Sequence, residues 1–304
     1  MVYVLIGSYA LHSRLPEAGI RPKDRDYICT FDEANKVFNK LEDKTFQPYA
    51  KDHWIGIIGY TFYDFLIPNS GSTKLIYDFV LNDTNTRKHA MAHNLIPSLD
   101  VLYTIKMSHR FKKTNRISEF EKTLSHILLM EKNGAKITDD LKEIYKIRME
   151  ETYNYSHPKL NKTKSEFFTD DVPYIYDHDT IHEAVKFLDK PMYRYFIIPE
   201  QEVLCSKELF NALSHNDKLL AVYEEASVLA LERSIIPYKI TDQDKIKEKF
   251  RFALMKVCTS ITSGWFREFA WRNYFQVLKM NTNNDFYFKF LDGLDSGIVK
   301  KMER

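Results

Sequence analysis

The chain has 304 residues, with 21 Phe, 19 Tyr, only nine Gly and a formal net charge of +2. That length supports a large core or two domains, while the low glycine content argues against an all-β or loop-dominated fold. The charge excludes a global electrostatic case for nucleic-acid binding and leaves only a local basic face open.

The opening stretch MVYVLIGSYA has no basic segment ahead of a long apolar run, so no signal peptide is expected. Cys29, Cys205 and Cys258 are far apart and odd in number, which points to reduced core thiols in a cytosol rather than a disulfide framework. The longest apolar stretch, WIGIIGYTFYDFLIP, carries Asp64 and two glycines and is too short for a membrane span. A soluble, cytoplasmic protein without a membrane partner is expected.

Residues 2–7 and 26–31 read as strands. Between them and the next apolar run, residues 32–43 place Ala34, Val37, Phe38 and Leu41 on one helical face, with Asp32 or Thr30 as the N-cap. Residues 53–67 and 73–81 read as further strands separated by the turn PNSGS. Residues 1–95 thus form a small α/β or α+β sheet domain. From residue 96 to 304 the pattern is mainly α-helical. Helices are expected from HAMAHNLIPSLDVLYTIKMSHRF onward, at 117–132, 136–150, 206–215 and 217–234, with a long one over about 243–280.

One stretch carries the chemistry. After the first strand comes Gly7-Ser8, then a short helix-like segment and a Pro/Gly-rich loop, then Asp24-Arg25-Asp26 entering the second strand. Residues two apart on a strand share a face, so Asp24 and Asp26 project together with Cα atoms roughly 6–7 Å apart. Two like charges that close are costly unless solvent or a cation screens them. Such a pair with a third carboxylate is a common holder of the metal ions of phosphoryl chemistry, and Mg²⁺ favours these hard oxygen ligands. Gly7 allows close approach of a phosphate, and the N–H groups and Ser8 hydroxyl at the helix start would bind it. Asp78, inside an apolar run, is the first candidate for the third acid, and Asp64 is the alternative.

The Gly-Ser turn after a strand followed by Asp-x-Asp on the next strand resembles the signature of the nucleotidyltransferase superfamily with the polymerase-beta-like fold. In that family a third acid stands on a later strand. The resemblance covers the first 80–100 residues, and the loop from Ser8 to Asp24 is longer than the family's usual spacing. TIKMSHRF, DHDTIHEAV, EEASVLALERSIIP and CTSITSGWFREFAWRNY also resemble uncharacterised nucleotidyltransferase-like proteins of T-even-type tailed phages. The resemblance implies a nucleotidyltransferase-like sheet domain followed by a helical domain. It implies Mg²⁺ (or Mn²⁺) on Asp24, Asp26 and Asp78, a nucleoside triphosphate on Gly7 and Ser8, and transfer to an acceptor hydroxyl of RNA, a host protein or a small molecule. A non-catalytic phage accessory protein on the same fold is the alternative, in the host cytoplasm in either case.

The helical half offers further candidates. His178 and His182 are four residues apart on one helical face, next to Asp179, and His109 and His157 could join them on a transition metal. The His-Asp pair resembles HD-type metal-dependent phosphohydrolases, with Asp217 as a later acid. The competing reading is a helix start, with Asp177 or Asp179 as cap and Glu183 balancing the dipole. Val228, Leu229 and Leu231 form an apolar stripe among Glu224, Glu225, Glu232 and Arg233, as a core helix does. Thr259, Ser260, Thr262, Ser263 and Gly264 permit close helix packing, or else face a cleft with Arg267 on phosphate. Basic residues at 109–116 and 159–164 are solvated faces or the lining of a polynucleotide groove.

Overall fold

The computed structural model describes residues 2–39, 45–89, 94–111, 116–156, 209, 212–235, 238–240, 242–261 and 264–282. The chain divides into two compact units. One comprises Met1–Lys112 and Lys122–Ser156, the other Lys113–Glu121 and His157–Arg304. The sheet-bearing unit therefore extends past the expected 1–95 boundary, taking in the helices that cover the sheet.

Its elements are β1 (Tyr3–Ile6), α1 (Gly7–Arg14), β2 (Asp24–Ile28), α2 (Phe31–Asn39), β3 (Thr45–Ala50), β4 (His53–Ile58), β5 (Thr61–Leu66) and α3 (Gly71–Asn82). They continue with β6 (Arg87–Lys88), β7 (Asn94–Ile96), α4 (Leu99–Ser108), most of α5 (Ile117–Lys132) and α6 (Lys142–Ser156). Among the described residues the strands form one mixed sheet in the order β3-β4-β5-β2-β1-β7-β6. The fold is α+β, with helices following the sheet.

Strand alternation gives the sheet two different faces. On one, Val4, Ile6 and Ile28 meet Ile76 and Val80 of α3, Val101 and Ile105 of α4, and Ile144 of α6. The other is aromatic and lies under α2. The Phe38 ring centroid is 4.7 Å from that of Phe46 and 5.6 Å from that of Phe65, and Tyr27 stacks on Phe65 at 5.8 Å. Gly56 leaves the space for Phe38, since a Cβ there would lie 1.9 Å from the ring. Helix α2 starts with a capping box that settles the choice of cap. The Glu33 N–H donates to Thr30 Oγ1 at 3.3 Å, and the Thr30 N–H donates to Glu33 Oε2 at 3.1 Å.

Residues 73–81, expected as a strand, belong to α3. Ser72, Ile76 and Val80 are its buried residues at four-residue spacing, and a short apolar run does not by itself separate helix from strand. The chain turns into α3 at Gly71, where φ is +62° and a Cβ would press on the Glu151 carboxylate. That carboxylate accepts from the Ser72 N–H at 2.9 Å, tying α6 to the start of α3. Residues 94–96, expected within a helix, pair with β1 as a parallel strand.

The second unit contains α7 (His215–Ile235), α8 (Gln243–Ser260), α9 (Gly264–Arg272) and α10 (Tyr274–Thr282). The expected single helix over 243–280 is thus three. Its core includes Tyr223, Val228, Leu231, Leu254, Phe266, Trp271 and Tyr274. The Tyr223 hydroxyl donates to the Leu254 carbonyl at 3.0 Å, joining α7 to α8. Glu121 accepts from Arg251 Nε at 3.1 Å, from Nη2 at 2.5 Å and from the Tyr274 hydroxyl at 2.8 Å. Burial and Glu121 together push the Tyr274 phenol pKa up. No helix among the described residues is long and apolar enough to cross a membrane.

Phe38 is the fully buried ring by which α2 packs on the sheet, beside the half-exposed Phe31. Phe38→Ala should cost about 3–5 kcal/mol, read as a lower urea midpoint for loss of far-UV circular dichroism.

Candidate metal centre

Strands β2 and β5 are parallel neighbours, in a register that pairs Asp24 with Phe62, Asp26 with Asp64 and Ile28 with Leu66. Paired residues on adjacent strands share a face. Asp24, Asp26 and Asp64 therefore converge, each offering a carboxylate oxygen within 4.8 Å of the others, and all three are half-buried. The acids lie where cover over this face begins: Ile28 is in the core under the helices and Leu66 packs against it, whereas Phe62 is 56% exposed.

The residue between the two acids does not neutralise them. Arg25 points to the opposite face, its guanidinium carbon 5.0 Å from the Tyr9 ring centroid and 5.7 Å from that of Tyr63. Asp24 Oδ1 is buried and, among the described residues, has no hydrogen-bond partner. The Asp26 carboxyl is pushed up to about 7, first by burial and then by the charges of Asp24 and Asp64, with Lys106 and Lys122 pulling it back in part. Asp64 Oδ1 lies 2.8 Å from His53 Nε2 across the β4–β5 pair, and the Tyr49 ring packs edge-on against His53 at 4.9 Å.

Gly7 opens α1 at φ +70° and lies directly against Asp26. A Cβ on it would fall 1.8 Å from Asp26 Oδ2. The close approach that this glycine permits in the structure is that of the Asp26 carboxylate. Ser8, the next residue, is buried.

The other sequence candidates stand elsewhere. Asp78 is on α3, half-buried, and bonded to Lys74 one turn earlier at 2.7 Å. It is an i,i+4 surface pair, and Asp64 takes the third-acid position. His109 follows the last turn of α4. Arg267 is on α9 in the second unit, half-buried, with its carbonyl 3.8 Å from Cys258 Sγ. The Thr259 hydroxyl is held by its own helix, donating to the Met255 carbonyl at 2.9 Å. His157, His178, Asp179 and His182 lie outside the described residues, as do Thr262 and Ser263.

Three convergent carboxylates, one buried oxygen without a partner among the described residues, and a carboxyl raised by burial and by its like-charged neighbours fit a hard divalent cation. The sequence reading missed His53, whose link to Asp64 depends on the β4–β5 pairing.

A family model described as "Domain of unknown function (DUF7275)" matches residues 101–289, more than half of the chain. The chain belongs to that family. The match begins inside α4, so the acidic cluster precedes it. No curated protein matches the chain.

Two measurements check the electrostatics and the packing of the centre. With a folded pKa near 7 against about 4 unfolded, Asp26 holds its proton longer in the folded state, so its contribution to stability falls as pH rises across that window. Asp26→Asn removes this loss and should gain roughly 2–6 °C in Tm over the parent at pH 8, with little gain at pH 4. A gap independent of pH contradicts the assignment. Gly7→Ala forces a side chain into Asp26 at a left-handed φ, and should lower Tm by more than Gly19→Ala, where nothing lies within 4 Å of the added carbon.

Proposed function

We propose that the sheet-bearing unit is a divalent-cation-dependent nucleotidyltransferase, moving a nucleotidyl group from a nucleoside triphosphate to an acceptor hydroxyl on RNA, a protein or a small molecule. The observation that carries this reading is the convergence of Asp24, Asp26 and Asp64 on paired strands directly against the Gly7 turn. Strand, Gly-Ser, helix, Asp-x-Asp strand and a third acid on a neighbouring strand is also the order in polymerase-beta-like nucleotidyltransferases, which the N-terminal sequence resembles.

In this reading Asp24, Asp26 and Asp64 hold Mg²⁺ or Mn²⁺. When bound, the cation neutralises charge on the phosphoryl oxygens and polarises them. Gly7 and Ser8 orient the triphosphate through N–H groups at the start of α1. Asp64, steadied by His53, orients the acceptor hydroxyl. The acceptor hydroxyl gives its proton to the Asp64 carboxylate as its oxygen bonds to the α-phosphorus, the bond from that phosphorus to the α,β-bridging oxygen breaks, and pyrophosphate leaves. The Asp24 and Asp26 carboxylates remain ligands throughout. The setting proposed is the cytoplasm, that of a host cell if the chain is phage-encoded, where buried Cys29 and Cys258 stay reduced.

The test compares Asp24→Asn and Asp64→Asn with Asp78→Asn. Mn²⁺ affinity, followed by electron paramagnetic resonance, should fall at least about tenfold in the first two and hold in the third. Transfer of label from α-labelled nucleoside triphosphates into host lysate should follow the same split. Labelling that persists in Asp24→Asn overturns the reading. Cation and nucleotide binding with no labelled product in the parent assigns a non-catalytic binder instead.

A further inference from the structure

The acid-bearing face continues outward from the metal centre into an aromatic and aliphatic strip. One row across the sheet runs Thr45, Ile57, Phe62, Asp24 on β3, β4, β5 and β2, and the next runs Gln47, Ile55, Asp64, Asp26. Phe62 is thus the lateral neighbour of Asp24 and precedes Asp64 by two residues on its own strand. Strand spacing and rise place its Cα within about 7 Å of the Cα of either acid. While Tyr27 and Phe65 are buried with Phe38 of α2 on the opposite face, Phe62 is 56% exposed and Tyr60, at the β4–β5 turn, is fully exposed. The loop entering β2 adds two exposed cations, Arg21 and Lys23.

We propose that Phe62 is the stacking platform for the nucleobase of the triphosphate, an inference that rests on the nucleotidyltransferase reading and names its base subsite. A ligand that reaches both features must present anionic oxygens to a cation held by the acids and a flat apolar group one strand away. A nucleoside triphosphate has both, whereas inorganic phosphate or tripolyphosphate lacks the flat group. Stacking on an aromatic face is tolerant of base identity because every base has a π face. The platform's neighbours in its row offer no readout: Ile57 is aliphatic, and the Thr45 hydroxyl is engaged by the Ile57 backbone, donating to its carbonyl at 3.3 Å and accepting from its N–H at 3.1 Å. The site therefore accepts ATP, GTP, CTP and UTP with similar affinity.

The test is calorimetric titration of the full chain and of Phe62→Ala with Mn²⁺ alone, Mn²⁺–tripolyphosphate and each Mn²⁺–nucleoside triphosphate. Phe62 is exposed, so its truncation leaves the core intact. Phe62→Ala should weaken every nucleotide about 5- to 100-fold and leave Mn²⁺ and tripolyphosphate within twofold, while Phe62→Trp restores nucleotide affinity. Equal affinity of the parent for tripolyphosphate and ATP, or unchanged ATP binding in Phe62→Ala, overturns the platform and leaves the metal centre and the proposed reaction standing. Failure of the parent to bind any nucleotide overturns the nucleotidyltransferase reading and the platform with it. A dimer of the parent that Phe62→Ala converts to monomer, seen by light scattering without a change in nucleotide affinity, assigns the strip to self-association instead.

Discussion

The register between β2 and β5 is the constraint on which the site depends. Backbone hydrogen bonds hold neighbouring strands about 4.8 Å apart, so pairing Asp26 with Asp64 fixes two like charges side by side. The backbone cannot relieve their repulsion without breaking the sheet. Asp26 holds its proton to near pH 7, first because it is buried and then because Asp24 and Asp64 stand beside it. A slip of one residue would turn Asp64 to the aromatic face, where Tyr63 and Phe65 stack with their centroids 6.2 Å apart. The apolar packing that sets the register therefore also sets the site.

That packing differs across the sheet. Under α2, rings at close separations pack one face. On the other, α3, α4 and α6 cover the rows nearest the C-terminal end of β2, and the cover stops at the acids. A carboxylate trio that is to hold a cation needs both conditions: enough burial to hold its geometry, and enough opening to admit the ion. Its position at the border of the covered region meets both.

Much of the first half of the site was legible in the sequence because it is local. Asp24 and Asp26 share a face through the two-residue period of a strand, and Gly7-Ser8 follows an apolar strand directly. The third acid was harder, because choosing between Asp64 and Asp78 requires knowing which strand lies beside β2. That neighbour is β5, reached only after α2 and the β3–β4 hairpin, and no local pattern reports it. Asp78 was misleading because Leu75, Tyr77 and Phe79 fill in the helical period of Ser72, Ile76 and Val80. The pairing of Lys74 with Asp78 at four-residue spacing was the available helical signal. His53 and Phe62 join the site only through the β4–β5 and β2–β5 pairings. In the helical half, the core stripe of α7 at Val228 and Leu231 was legible from its spacing, whereas the division of residues 243–282 into three helices was not.

The β2–β5 pair also has a consequence for assembly. One segment, β1-α1-β2, carries Gly7, Asp24 and Asp26; the other, the β3-β4-β5 meander, carries His53, Phe62 and Asp64. Each is built largely from contacts between near neighbours in the chain, whereas the junction between them is long-range and forms against a larger loop-closure entropy. Before that junction forms, neither segment holds all of Asp24, Asp26 and Asp64, and an ion meets at most two of them. A cation that bound the completed trio would draw the folding equilibrium toward the joined sheet by mass action, coupling occupancy of the site to completion of the sheet.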